Sequence, residues 1–168
     1  MAQTKLQGGY YYIRSGEDLV GFLTSAHEEE KVNVYSKTDS DKDFCLWEVK
    51  DNFGSGYALQ LKAPMERTAY EGGTSADPLG GAEVLAKVFL ADQEQRHAVW
   101  ELFPVDGKEN TYFIMRPGAR EPWDNADGTP KEVFMWTVTE PGKQSKIVTK
   151  LGKTATAQGA SFTFEKAF

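Results

Sequence analysis

The sequence lacks the features that mark secreted, membrane-spanning and nucleic-acid-binding proteins. It has one cysteine in 168 residues, so no intrachain disulfide can form, which favours a reducing compartment. No segment approaches the roughly eighteen apolar residues of a membrane helix, and the N-terminus has no secretory signal pattern. The net charge of -6 disfavours contact with phosphate backbones and anionic membranes. We therefore expect a cytoplasmic protein that binds neither nucleic acid nor membranes.

Residues suited to catalysis or metal binding are also scarce. The only histidines are His27 and His97, and neither belongs to a recognisable catalytic pattern. Cys45 lies in a strand-like segment, and a nucleophilic cysteine would need an activated thiolate. The segment "DNADGTP" begins like a calcium loop but has Ala126 where an acidic residue is needed. We therefore expect no enzymatic activity, no catalytic residues, no metal and no cofactor.

Aromatic and turn-forming residues are abundant instead. Phe, Tyr and Trp make up 12% of the chain, which also holds 16 Gly and 7 Pro, a composition typical of strands joined by tight turns. A tyrosine followed two residues later by a branched aliphatic residue occurs three times. Side chains two apart lie on one face of a strand. The pattern therefore predicts three matched inward-facing pairs: Tyr11 and Ile13, Tyr57 and Leu59, Tyr112 and Ile114.

A second pattern closes each repeat in the same alternation. Its pairs are Trp47 and Val49, Trp100 and Leu102, Phe162 and Phe164. The tyrosine pairs that open the repeats and the pairs that close them divide the chain into three parts, at about 8–51, 56–104 and 110–168. Each part has about four strand signals. We therefore predict an all-β protein, a single β-trefoil domain over 1–168 with three four-stranded repeats and pseudo-three-fold symmetry. A three-bladed propeller or a two-sheet sandwich explains the matched openings less directly.

Four segments carry a resemblance to a known family. They are "GGYYYIRSG" followed by "LVG", the two seams between repeats, "LWEVKDNFGSGYAL" and "HAVWELFPVDGKENTYFIM", and the closing "SFTFEKAF". A seam is the last strand of one repeat, a turn and the first strand of the next. In these core residues the chain resembles the β-trefoil serine protease inhibitors of basidiomycete fungi. The mycocypin inhibitors of cysteine proteases are similar trefoils. The resemblance implies reversible inhibition of an endopeptidase, most simply a serine protease, through an exposed loop.

In that family the loop after the second strand is the usual binding segment, which here is "LVGFLTSAHEEEK". A loop held rigid by the barrel loses little entropy on binding and adds a strand to the protease cleft. The resemblance therefore implies a protease-binding loop formed by Gly21, Phe22, Leu23, Thr24 and Ser25. Phe22 or Leu23 in the specificity pocket would suit chymotrypsin-like or subtilisin-like enzymes. Both residues could instead belong to the barrel.

The alternative function is carbohydrate binding, because many trefoils are lectins. Common sugar-binding trefoils carry a Gln-x-Trp motif near the end of each repeat, and here those places read "FCLWEV", "HAVWEL" and "GASFTF". Trp123 and Trp136 are less constrained by the repeat than the other tryptophans, so either could stack on a sugar. The alternative sugar site therefore consists of Trp123, Asp124 and Asn125, with glycans as partners.

Overall fold

The fold comes from a computed structural model that describes residues 6–22, 32–37, 44–53, 56–62, 66–72, 80–88, 98–105, 107–115, 132–140, 143–153 and 160–167. In these ranges the chain forms thirteen β-strands and no α-helix, which confirms the predicted all-β class. They are β1 Gly9–Ser15, β2 Asp18–Gly21, β3 Val32–Asn33, β4 Tyr35–Lys37, β5 Leu46–Phe53, β6 Gly56–Leu61, β7 Arg67–Gly72, β8 Gly80–Lys87, β9 Glu101–Pro104, β10 Thr111–Met115, β11 Glu132–Val138, β12 Ser145–Lys153 and β13 Ser161–Lys166. Within the described ranges, no helix has the length and apolar character needed to cross a membrane.

Six of the strands close into a barrel. Antiparallel ladders join β1 to β5 and β13, β5 to β6, β9 to β10, and β10 to β13. The last gap, between β6 and β9, is spanned by one bridge at Tyr57 and Trp100, whose N–H groups donate to each other's carbonyls at 2.7 and 2.8 Å. Because each of these strands has a neighbour on both sides, the barrel has no open edge.

Three antiparallel hairpins, β2–β4, β7–β8 and β11–β12, complete the described sheet. They also pair with one another, since β12 contacts both β4 and β8, and β3 pairs with β8. Each hairpin is joined to a barrel strand by a turn, here called a joint, at which the barrel strand pairs with the first strand of the hairpin. The three joints have corresponding registers. The pairs at these joints are Arg14 with Leu19, Gln60 with Thr68, and Met115 with Met135.

In the first repeat, Val34 separates the two short strands β3 and β4. The N–H of Val34 donates to the carbonyl of Val84 at 3.0 Å, and its carbonyl accepts from the N–H of Ile147 at 2.8 Å. On either side of Val34 the chain therefore pairs with different hairpins, and β3 and β4 are separate strands. This division accounts for thirteen described strands where the sequence predicts about twelve.

The matched aromatic and aliphatic pairs all point into the barrel, as predicted. Eleven of the twelve residues are buried in one continuous core, and the twelfth, Leu102, packs against it half-buried. Phe164 holds two of the opening tyrosines together, with edge-to-face ring contacts at 6.0 Å to Tyr11 and 5.6 Å to Tyr112. The two-residue period therefore predicts which strand faces build the core.

A layer of large rings surrounds Trp136 in the part of the core where the barrel meets the hairpins. The Trp136 ring lies 6.1 Å from Trp47, 5.4 Å from Trp100 and 6.1 Å from Phe162, and all four side chains are fully buried. By the register of the joints, Trp136 occupies on β11 the place that Val20 has on β2 and Ala69 has on β7. One large residue and two small ones therefore share the centre of the layer.

Two of the tryptophans also tie the barrel to the hairpins. The indole N–H of Trp47 donates to the carbonyl of Val20 at 2.9 Å, and that of Trp100 donates to the carbonyl of Ala69 at 3.0 Å. In the third repeat Phe162, which has no such donor, takes the corresponding place and packs on Trp136. These two bonds avoid the free-energy cost of an unpaired buried N–H, a cost that the Trp136 indole bears at the centre of the layer, since its N–H has no hydrogen-bond partner among the described residues.

We expect Trp47→Ala to lower the free energy of unfolding by about 3–5 kcal/mol, because it leaves a large cavity in the ring layer. Trp47→Phe should lose about 1–3 kcal/mol, since a ring remains but the Val20 carbonyl loses its donor. Urea unfolding followed by circular dichroism measures both values. A midpoint that Trp47→Ala does not move would contradict the central packing of this residue.

Tyrosine hydroxyls bond the segment that precedes β1. Tyr57 donates to the carbonyl of Leu6 at 2.8 Å, and Tyr11 donates to the carbonyl of Gln7 at 2.8 Å. Burial raises the pKa of the Tyr57 hydroxyl well above its usual value, and the charge of Asp51 raises this pKa further. Burial also raises the pKa of Tyr11. The folded state therefore holds these hydroxyls in their protonated form.

The free energy of unfolding should fall as the pH rises above about 10, because unfolded tyrosine then loses a proton that folded Tyr57 keeps. Tyr57→Phe should make that fall shallower. At pH 7 the same variant should be less stable by about 1 kcal/mol, the worth of the lost hydrogen bond. Denaturant titrations between about pH 8 and 11 give both slopes. Equal slopes for the two proteins would contradict the role given to Tyr57.

Candidate functional site

The structure corrects the predicted protease-binding loop at Phe22. Phe22 is fully buried, its ring lies 6.5 Å from Trp47 in an edge-to-face contact, and its N–H donates to the carbonyl of Phe44 at 3.0 Å. The Arg67 guanidinium lies 5.6 Å from the centre of the Phe22 ring. A side chain packed in this way cannot fill the pocket of a protease, so the prediction is wrong for Phe22, which is a core residue.

Gly21 is also part of the folded framework and does not face a partner. A Cβ atom at this position would run into the carbonyl oxygen of Phe44 and would lie 2.7 Å from the Sγ of Cys45. The backbone of β2 therefore passes too close to residues 44–45 for any side chain. The other three predicted loop residues, Leu23, Thr24 and Ser25, lie outside the described residues and stay a prediction.

The predicted sugar-binding residues separate in the same way. Trp136, which the repeat leaves unconstrained, is buried at the centre of the ring layer and cannot stack on a ligand. Trp123, Asp124 and Asn125 lie outside the described residues. The sugar site at these three residues therefore stays a prediction.

The outer surface of the barrel carries three corresponding rows of residues, one at each seam between repeats. Cross-strand pairing places the members of a row side by side on neighbouring strands. The first wall row consists of Tyr10, Glu48, Gln60 and Thr68. The second consists of Gly56, Glu101, Met115 and Met135. The third consists of Thr111, Thr163, Arg14 and Leu19.

The first wall row is polar, and Lys62 connects its members. The ammonium group of Lys62 donates to Glu48 at 2.9 Å and to Glu66, and it lies 6.0 Å from the centre of the Tyr10 ring. In the same row the Gln60 amide donates to the hydroxyl of Thr68 at 3.0 Å. Tyr10 itself is 37% exposed. An aromatic ring, two carboxylates and an amide therefore meet on one patch of the outer wall.

The charges of this patch are held by their mutual contacts. The hydrogen bond to Glu66 is the largest cause that raises the pKa of Lys62, and bonding to Glu48 adds to it. The same bond to Lys62 lowers the pKa of the Glu66 carboxyl. Both shifts favour the charged forms, so the Lys62 ammonium and the Glu66 carboxylate stay ionised at neutral pH.

The other two wall rows have a different chemistry. Met115 and Met135 of the second row are fully buried in a small apolar cluster with Phe113 and Ala160. The third row has two threonines whose hydroxyls lie 3.2 Å apart, and Arg14, which donates to Glu165 at 2.6 Å. The rows therefore share a register but present different side chains.

A further polar cluster lies where three hairpin strands meet. Glu83 accepts from the Asn33 amide and from the Lys146 ammonium, each at 3.1 Å. Both bonds lower the pKa of the Glu83 carboxyl, and the bond from Asn33 has the larger effect. The three side chains of this cluster bond one another and so connect β3, β8 and β12. Their role is therefore structural. In the ranges that the structure describes, no three His, Cys, Asp or Glu side chains gather as metal ligands would.

Comparison with known proteins connects the chain to others through its fold. No protein-family model matches the sequence, and no curated protein matches it. Solved structures do match. A designed three-fold symmetric protein, ThreeFoil, is similar over 94% of this chain and 99% of its own, with 14% identity and a TM-score of 0.69.

Two natural proteins extend the likeness. The ricin B-like lectin of Macrolepiota procera, solved in complex with lactose, is similar over 97% of this chain and 99% of its own, with 14% identity and a TM-score of 0.62. The BEL β-trefoil is similar over 97% and 96%, with 11% identity and a TM-score of 0.58. At these identities the likeness shows the fold alone, a trefoil-like closed barrel. None of it directly supports membership of the fungal protease inhibitor family.

Gly21→Ala should lower the free energy of unfolding by about 1–3 kcal/mol, because the added methyl group has to displace the backbone at residues 44–45. A matched control is Gly16→Ala in the β1–β2 turn. Its φ of 61° strains an alanine by about 1–2 kcal/mol, but no atom lies within 4 Å of the new Cβ. Thermal unfolding combined with a crystal structure of the Gly21 variant separates the two causes. An unshifted β2 backbone and unchanged stability would contradict the close approach.

Proposed function

We propose that the chain is a carbohydrate-binding protein of the trefoil kind. The observation that carries this proposal is the full-length likeness to a lectin whose structure contains lactose. The closed barrel suits such a role, because a rigid scaffold holds its surface groups in place and lowers the entropy cost of binding. The whole chain of 168 residues is then one domain of three four-stranded repeats, divided at about 8–51, 56–104 and 110–168.

We place one sugar site at Trp123, Asp124 and Asn125, which are adjacent in the segment between β10 and β11. An indole ring offers an apolar face to the C–H groups of a sugar ring, and a carboxylate and an amide can bond its hydroxyls. This combination binds without a reaction, so the protein has no need of a cofactor or a catalytic group. Binding, without enzymatic turnover, is therefore the activity that we propose.

Protease inhibition is the second candidate, favoured by the way in which residues 23–31 are attached. The described chain before this segment ends at the buried Phe22, and the described chain after it begins at β3, which is paired with β8. Both ends are thus held, as an inhibitory loop requires. Because Phe22 is a core residue, the candidate contacts are Leu23, Thr24 and Ser25, and the partner would be a serine protease.

On a glycan array the wild-type protein should bind a defined set of saccharides. We expect Trp123→Ala to weaken that binding by about tenfold or more, the effect of losing one good ligand contact, while Trp123→Phe retains most of it. Trp123→Ala should keep the wild-type unfolding midpoint. Isothermal titration with the best saccharide from the array measures the affinities.

The same protein is assayed against trypsin, chymotrypsin, subtilisin and papain. Inhibition that Leu23→Gly abolishes, together with an array that shows no binding, would replace the lectin proposal by the inhibitor. Saccharide binding without inhibition would support the lectin proposal. An array without any bound saccharide would refute carbohydrate binding whatever the protease result.

A further inference from the structure

We propose that the first wall row, together with Lys62 and Glu66, is a binding site for a neutral saccharide on the outer wall of the barrel, separate from the segment that contains Trp123. The proposal rests on the proposed carbohydrate-binding function and adds to it a place and a ligand class. The members of the first wall row lie on β1, β5 and β6 and at the start of β7, so the strand ladders fix their spacing.

The first argument is the difference between the inside and the outside of the repeats. In the core, the opening pairs of the three repeats are alike, with a tyrosine at the first place and a branched aliphatic residue at the second. On the wall, the corresponding places hold Tyr10, Gly56 and Thr111, and the next places hold Glu48, Glu101 and Thr163. Packing of the barrel therefore does not require the tyrosine of the first row, and the Glu48 side chain is half-buried where the corresponding Glu101 is buried.

The second argument is the exposure of the Tyr10 ring. Among the residues whose side-chain burial the structure describes, Tyr10 and Val88 are the large apolar side chains left exposed, at 37% and 48%. The Lys62 ammonium lies 6.0 Å from the centre of the Tyr10 ring, and Glu48 is the cross-strand neighbour of Tyr10. An aromatic ring fixed at the surface beside hydrogen-bonding groups is what a sugar needs, since its ring is apolar on one face and its edge carries hydroxyls.

The third argument concerns charge. Glu48 and Glu66 both bond Lys62. The charge of Lys50 lowers the pKa of Glu66 further, so a second ammonium group lies close by. Two carboxylates thus lie beside two ammonium groups, and Lys62 already bonds both carboxylates. The carboxylates would repel sialic acid or sulfate, whereas neutral hydroxyls can donate to Glu48 and Glu66. The site therefore favours an uncharged saccharide.

The test compares Tyr10→Ala with a matched control, Tyr70→Ala. Tyr70 also lies beside an ammonium group, that of Lys87 at 5.1 Å, but belongs to the β7–β8 hairpin and not to the first wall row. On the array and in titrations with lactose, Tyr10→Ala should weaken binding by about tenfold, and Tyr10→Phe and Tyr70→Ala should match the wild type. Glu48→Gln should weaken binding without a change in the unfolding midpoint.

Two further readouts locate the site and define its ligand. Titration of labelled protein with lactose should shift the backbone amide signals of residues 10, 48 and 60. Sialyllactose should bind more weakly than lactose, and the lactose affinity should change less than about twofold between about 0.05 and 0.5 M NaCl, since no net charge is engaged.

Wild-type binding by Tyr10→Ala, with loss in Trp123→Ala, would overturn the wall site and leave the proposed function intact. A preference for sialylated or sulfated saccharides would overturn the ligand class. If no saccharide binds the wild-type protein at all, the proposed function fails and the wall site fails with it.

Discussion

The fold depends on how four large rings are packed where the barrel meets its hairpins. Trp47, Trp100 and Phe162 come from three different repeats, and each contacts Trp136. The two barrel indoles also donate to hairpin carbonyls, so the same side chains set both the packing and the hydrogen bonds between the two parts of the molecule. Burial of rings of this size contributes more than any surface contact in the structure.

Much of this architecture can be predicted from local sequence patterns. The pairs opened by Tyr11, Tyr57 and Tyr112 reveal their inward direction through a two-residue period, which depends only on strand geometry. The division at Val34 could not be predicted, because it is caused by hydrogen bonds to Val84 and Ile147 in two other hairpins. Phe22 was misplaced for a related reason. Its burial depends on Trp47 and Phe44, which the sequence does not mark as its neighbours.

The candidate surface was only partly visible in the sequence. Alternation around the inward Tyr11 implies that Tyr10 faces outward, but no local pattern brings Lys62 to it across two strands. That contact requires the register of β1 on β5 and of β5 on β6. On the outer wall, corresponding positions differ in chemistry between repeats, as Tyr10, Gly56 and Thr111 do.

The unequal sharing of the central space between Trp136, Val20 and Ala69 means that the repeats are not interchangeable parts. A hypothetical protein made of three copies of the second repeat would set three alanines around the axis and leave a void there. Three copies of the third would direct three indoles into a volume that holds one. A protein with three identical repeats could therefore not carry the Ala69 or the Trp136 side chain at all three of these places and keep the interior filled as it is here.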